Sequence, residues 1–188
     1  LLVGPTAAAL FASELGVPFE GTPQNETRHL HYASALTPTR DPTQSVRPGT
    51  AQVFGRLRTA PAPDAPSHPA ATLTSLGRGK IAATYFSFSR GYLADRSDVA
   101  RGFLGDLVRQ LFPRPMVEVA GSSDVDVVVS RLRGRLLVNL VNTAGPHADV
   151  NSPIHDSIPP VGPLELRIRC PRKPARITLE PGGERLAF

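Results

Sequence analysis

Residues 70–88 read AATLTSLGRGKIAATYFSF. β-Branched and aromatic residues fill both arms, and Gly77, Arg78 and Gly79 stand between them. The stretch therefore predicts a β-hairpin whose register is set by that turn. Glycines flanking a basic residue can also cradle an anion, but no helix follows at once, and hairpin chemistry accounts for both glycines. The aromatic string Tyr85, Phe86, Phe88 and Tyr92 ends the second arm. Core packing is the expected fate of most of these rings. Any left exposed, Tyr85, Phe86 or Tyr92 first among them, would form a weak carbohydrate-binding surface by stacking on sugar rings.

Downstream, Ser97 reads as the start of a helix. Asp98 lies in its first turn, Phe103, Leu107 and Leu111 recur at helical spacing, and Pro113 marks the end. Gly102 and Gly105 weaken such a helix by about 1 kcal/mol each relative to alanine, which predicts close packing against a sheet where a side chain would not fit. Residues 112–115, Phe-Pro-Arg-Pro, form a stiff linker because two prolines exclude helix. A domain boundary is expected there, between 1–112 and 116–188.

Upstream, Leu1, Leu2 and Val3 read as a short strand, Gly4 and Pro5 as its end, and residues 7–15 as a helix stopped by Gly16. This strand-turn-helix unit suits an α/β domain. Pro5 has no N–H, so the turn is a poor phosphate cradle. Residues 21–69 are rich in Pro, Thr, Ser and Ala, with strand-like islands at 28–34 and 51–58. His29 and His31 would face one side of a strand, but a zinc site needs three or four convergent groups and no third ligand is evident. No metal or other cofactor is expected.

After Met116 the periodicity is that of strands. Val125, Val127 and Val129 alternate, Arg133 and Gly134 turn the chain into 136–141, and Leu164, Leu166 and Ile168 alternate with Glu165, Arg167 and Arg169. Ile177 and Leu179 follow, then a turn at 181–183. Five or six short strands joined by turns predict an antiparallel β-sandwich.

The composition agrees with a turn-rich chain: 20 prolines and 16 glycines in 188 residues. The net charge is +5, but the arginines are spread; the nearest cluster, Arg131, Arg133 and Arg135 with Arg167 and Arg169, alternates with apolar residues as solvent faces of strands do. Nucleic acid is thus not an expected partner, and no run of roughly 20 apolar residues suggests a membrane span. The sequence opens on the apolar run Leu1, Leu2 and Val3, and the chain is expected to begin inside an α/β domain.

Residues 77–88 (GRGKIAATYFSF), the helix after them, residues 136–145 (LLVNLVNTAG) and the ending 158–179 resemble the C-terminal region of bacterial glycoside-hydrolase-like proteins. In those proteins a barrel similar to that of α-L-fucosidases or family 42 β-galactosidases precedes a class I glutamine-amidotransferase-like domain, the β-galactosidase trimerisation domain, and then a β-sandwich. The resemblance implies an α+β chain: a partial α/β (class I glutamine-amidotransferase-like) domain at 1–112 followed by a C-terminal antiparallel β-sandwich at 116–188. It also implies two partners, the upstream catalytic barrel of the same protein and further copies in a homo-oligomer; carbohydrate is expected as a partner only through the exposed aromatic rings.

No catalytic residue follows from the resemblance, because the family's catalytic acids lie on the barrel. Amidotransferase chemistry needs a cysteine nucleophile on a strand-to-helix turn. Cys170 is the one cysteine and follows a late strand instead. Glycoside hydrolysis needs two carboxylates roughly 5 to 9.5 Å apart. Asp124 and Asp126 share one strand face, yet nothing apolar near them would raise one pKa, and a charged outer edge explains them. The chain is therefore expected to be a non-catalytic accessory region of a glycosidase, with a carbohydrate-binding module as the alternative.

Overall fold

The hairpin of residues 70–88 lies inside a six-stranded sheet in the computed structural model, which describes residues 1–39, 42–145 and 158–188. The chain divides into two compact units, Leu1–Pro113 and Arg114–Phe188.

The first unit opens with β1 (Leu2–Val3) and two short helices, α1 (Pro5–Ala8) and α2 (Ala12–Leu15), separated by a 3₁₀ turn. Pro5 occupies the first helical position, where its missing N–H costs no helical bond. Gly16 ends α2 with φ +68°, and its N–H donates to the carbonyls of Ala12 and Ser13. Strands β2 (Phe19–Gln24), β3 (His29–Tyr32), β4 (Ala35–Pro38), β5 (Thr43–Val46), β6 (Gln52–Arg58), β7 (Ser67–Leu76) and β8 (Gly79–Thr84) follow, then α3 (Phe88–Asp95) and α4 (Asp98–Leu111).

Strand order in the sheet is β1-β8-β7-β6-β3-β4. Only β1 and β8 run parallel, pairing Leu2 with Ala82 and Val3 with Ala83. The other neighbours are antiparallel. This unit is therefore richer in antiparallel strand than a partial α/β domain suggests, and β2 with β5 adds a separate antiparallel pair.

β7 starts three residues before the predicted strand and takes in Pro69. A proline inside a sheet removes a donor. Pro69 pairs with Arg56 on β6, and the β7–β8 register reaches only to Ala71 opposite Thr84, so the missing donor falls in the β6–β7 ladder alone. The second arm also stops early: β8 ends at Thr84, and Phe88 begins α3 rather than ending a strand.

The core gathers where both sides of the hairpin are covered. Leu15, Leu30, Leu57, Ile81, Phe103 and Leu107 are fully buried. Helix α4 forms as its sequence dictates: the Ser97 hydroxyl accepts from the Ala100 N–H, and Ala100, Phe103 and Leu107 make its buried face. The glycine expectation is overturned. A Cβ on Gly102 or Gly105 would meet nothing within 4 Å, because both lie off the face that carries Phe103. The glycine that makes room is Gly55 on β6. Its φ is +66°, and a Cβ there would come within 2.8 Å of the Phe103 ring.

The second unit contains β9 (Val117–Ala120), β10 (Val125–Leu132), β11 (Arg135–Asn142), β12 (Glu165–Ile168), β13 (Ile177–Leu179) and β14 (Glu184–Leu186), all antiparallel in pairs: β10 with β11, β9 with β12, β13 with β14. Arg133 and Gly134, at φ +49° and +78°, make the two-residue turn between β10 and β11. The register aligns Val127 with Leu140 and Val129 with Val138, giving that ladder one apolar face. Among its described residues this unit has none that is fully buried.

Candidate functional site

The aromatic string places its rings in two groups. Tyr85 is fully buried and Phe86 nearly so. Adjacent along the chain, they turn to different partners. Tyr85 meets Phe19 edge-on at 6.1 Å and shares a hydroxyl hydrogen bond with Thr72; Phe86 meets Phe103 at 5.6 Å. Burial pushes the Tyr85 phenol up to about 12, against the smaller effect of the Thr72 hydroxyl. A sugar ring cannot stack on either side chain. These two residues of the anticipated stacking surface are core residues, because the sheet end they occupy is packed against Phe19 and Phe103.

Tyr92 is half-buried on α3 and stacks on Phe88, one turn earlier, with ring centroids 5.5 Å apart and planes inclined by 11°. The two rings border a cavity of about 10 Å³ between α3, the start of α4 and β4, with Thr37, Thr39, Ser87 and Asp95 as polar lining. That space suits one water and excludes a sugar ring. Tyr92 thus has a partner within the fold. Phe88, the missed member of the pair, was legible as the residue four before Tyr92 once the segment is helical.

Helix α4 is tied to the sheet by a polar contact. The Tyr32 hydroxyl donates to Asp106 Oδ2 at 2.7 Å, and Arg109 pairs with the same carboxylate. Partial burial, and then the Asp106 hydrogen bond, raise the Tyr32 phenol to about 12. Tyr32 also lies edge-on to Phe103 and near Phe54, so the contact fixes the helix over the aromatic cluster.

His29 and His31 are not brought to a common ligand. The Nδ1 of His31 lies 3.3 Å from the Arg58 guanidinium, while the Nδ1 of His29 is buried with no hydrogen-bond partner among the described residues. A guanidinium against His31 is incompatible with a cation at that nitrogen. Among the described residues no group of three His, Cys, Asp or Glu side chains could hold a metal. His68 on β7 is half-buried. Burial, and then the charge of Arg28, lower its pKa.

In the second unit Cys170 is exposed and free. Asp124 stands just before β10 with its N–H on the Ser122 hydroxyl, and Asp126 is exposed opposite Val141. Both are turn and surface carboxylates. Arg131, Arg133 and Arg135 belong to the β10–β11 hairpin, whereas Arg167 and Arg169 lie on and just past β12. The pairing of β9 with β12 brings Arg114 beside Arg169, a neighbour no local pattern announces: an Arg169 guanidinium nitrogen donates to the Arg114 carbonyl at 3.1 Å.

No family model matches the chain, and no curated protein matches it in sequence. Solved structures do. The chain is similar in fold to α-L-fucosidase isoenzyme 2 from Paenibacillus thiaminolyticus, with a TM-score of 0.71 and 13% identity over 93% of this chain and 30% of that one. A weaker likeness, TM-score 0.46 at 17% identity, relates 71% of this chain to 18% of Gan42B, a GH42 β-galactosidase from G. stearothermophilus. The chain thus spans less than a third of the fucosidase, and at 13% identity what it shares with that protein is the fold.

Proposed function

We propose that this chain is an accessory and oligomerisation region of a bacterial glycoside hydrolase acting in carbohydrate metabolism, without turnover of its own. Its first unit corresponds to the later part of an amidotransferase-like trimerisation domain, and its second to a C-terminal β-sandwich. The catalytic barrel belongs to the rest of the parent protein.

One observation carries the reading: 93% of this chain follows the fold of only 30% of an α-L-fucosidase chain. The placement of the carboxylates and of Cys170 supports it. A retaining or inverting site needs one acid held protonated by an apolar surround and one kept ionised. Asp124 and Asp126 sit at the surface instead, and the one cysteine, Cys170, follows β12 rather than standing on a strand-to-helix turn.

Aryl fucosides and aryl galactosides offered to the purified chain should be hydrolysed no faster than in buffer. Turnover that disappears on substituting a single carboxylate would overturn the non-catalytic reading. Sedimentation velocity across a concentration series tests the other half, with self-association expected; a monomer at every concentration removes the oligomerisation role.

A further inference from the structure

We infer that the open cleft between β9 and the end of β12 binds a small hydroxylated monocarboxylate, the chemistry of a sugar acid. The cleft measures about 260 Å³ and lies wholly within the second unit. Arg114, Arg167 and Arg169 line it with Glu118, and Pro115 and Ile168 supply apolar wall.

The backbone holds the three arginines together. Arg167 and Arg169 are two residues apart in extended chain, so their side chains leave one side about 7 Å from each other. The Arg169 N–H donates to the Met116 carbonyl at 2.8 Å, continuing the ladder one step past Ile168 opposite Val117. Its guanidinium then pins the Arg114 carbonyl, and Pro115 stiffens the segment between. That bond uses one of the five N–H donors of Arg169, and Arg167 spends its Nε on Glu165 at 2.9 Å. Donors remain on all three guanidinium groups.

Charge selects the ligand. Three arginines share the cleft with Glu118, which stands opposite Arg167, and Glu165 is paired to Arg167. Three positive charges against two negative ones leave a single positive charge over. One carboxylate balances it, whereas a phosphate dianion would exceed it and would also meet Glu118. A planar carboxylate matches the guanidinium fork. Glu118, an acceptor only when ionised, selects for a hydroxyl beside that carboxylate. Residues of the second unit alone form this cleft, so its ligand does not depend on the accessory role.

Glucuronate is the probe, titrated into the full chain by calorimetry or NMR, with glucose, acetate and inorganic phosphate as comparisons. A millimolar Kd is expected for glucuronate, since exposed ion pairs contribute only about 0.2–1 kcal/mol each. Glucose should not bind, and acetate should bind several-fold more weakly. Arg167→Gln, whose ion-pair partner among the described residues is the surface residue Glu165, should weaken glucuronate by about two- to fivefold with the fold intact by circular dichroism. Glu118→Ala should abolish the advantage over acetate. Binding of glucose as tight as that of glucuronate, tighter binding of phosphate, or an Arg167→Gln chain that binds unchanged would each overturn the proposal.

Discussion

His68 carries a charge decision at the scale of one residue. It is half-buried on β7, and burial, followed by the Arg28 charge, lowers its pKa against the smaller opposing effects of Glu26 and Glu20. The unfolded chain takes up this proton near the ordinary value of about 6.5, while the folded chain resists it. Protonation therefore favours the unfolded state, so the His68 contribution to stability is intact above about pH 6.5 and is lost as pH falls below it. Denaturant midpoints at pH 7.5 and 5.5 should differ more for the native chain than for His68→Gln. Equal differences would show that His68 titrates normally. The sequence offered no sign of this, because the histidine stands in a Pro-rich run, and its burial exists only once β7 lies against β6 with His68 opposite Leu57.

Among the elements, helix α4 and the β3–β4 turn carry opposite lessons. The capping serine, the first-turn aspartate and the apolar spacing of α4 were all legible locally, and the helix forms at Asp98–Leu111. The role of its glycines was not, since packing partners are a tertiary fact. With open space at both sites, Gly102→Ala and Gly105→Ala should each raise stability by roughly 0.5–1 kcal/mol, read as a higher midpoint in thermal or urea unfolding. A loss of stability would restore the close-packing explanation. The β3–β4 turn was hidden for a different reason. Ala33 and Ser34 adopt φ +48° and +65°, a conformation usually signalled by Asn-Gly, so residues 28–34 read as one strand island. Pairing of Tyr32 with Ala35, and of β3 with β6, forces the turn despite its residues. Both turn residues are exposed, so replacing them by Asn-Gly should stabilise the chain by about 1 kcal/mol in the same assay. An unchanged midpoint would show that the turn carries no strain.

For the whole molecule, the two units differ in what holds them. Leu1–Pro113 has a contiguous buried cluster running from Val3 to Leu107, whereas none of the described residues of Arg114–Phe188 is fully buried. Amides that open only with a packed core are the slowest to exchange. Those of Leu73 and Ala82, buried in β7 and β8, should exchange at least about a hundredfold more slowly than those of Val128 and Asn139 in the β10–β11 ladder. Comparable protection in the two ladders would contradict this ranking.

Local chemistry alone determined the β7–β8 hairpin and its turn, though not its ends, together with the span and cap of α4, the α2 stop at Gly16, and the alternation of β10 and β11, because turn dihedrals, capping and hydrophobic period act over a few residues. It also determined the lack of a cysteine on a strand-to-helix turn, a matter of composition. Only the tertiary structure decided that Tyr85 and Phe86 are core while Tyr92 stacks on Phe88, that Gly55 rather than Gly102 or Gly105 makes room for a side chain, and that Arg114 meets Arg169. Each of these depends on which strands pair and in what register, and such long-range pairing leaves no mark in a window of ten residues.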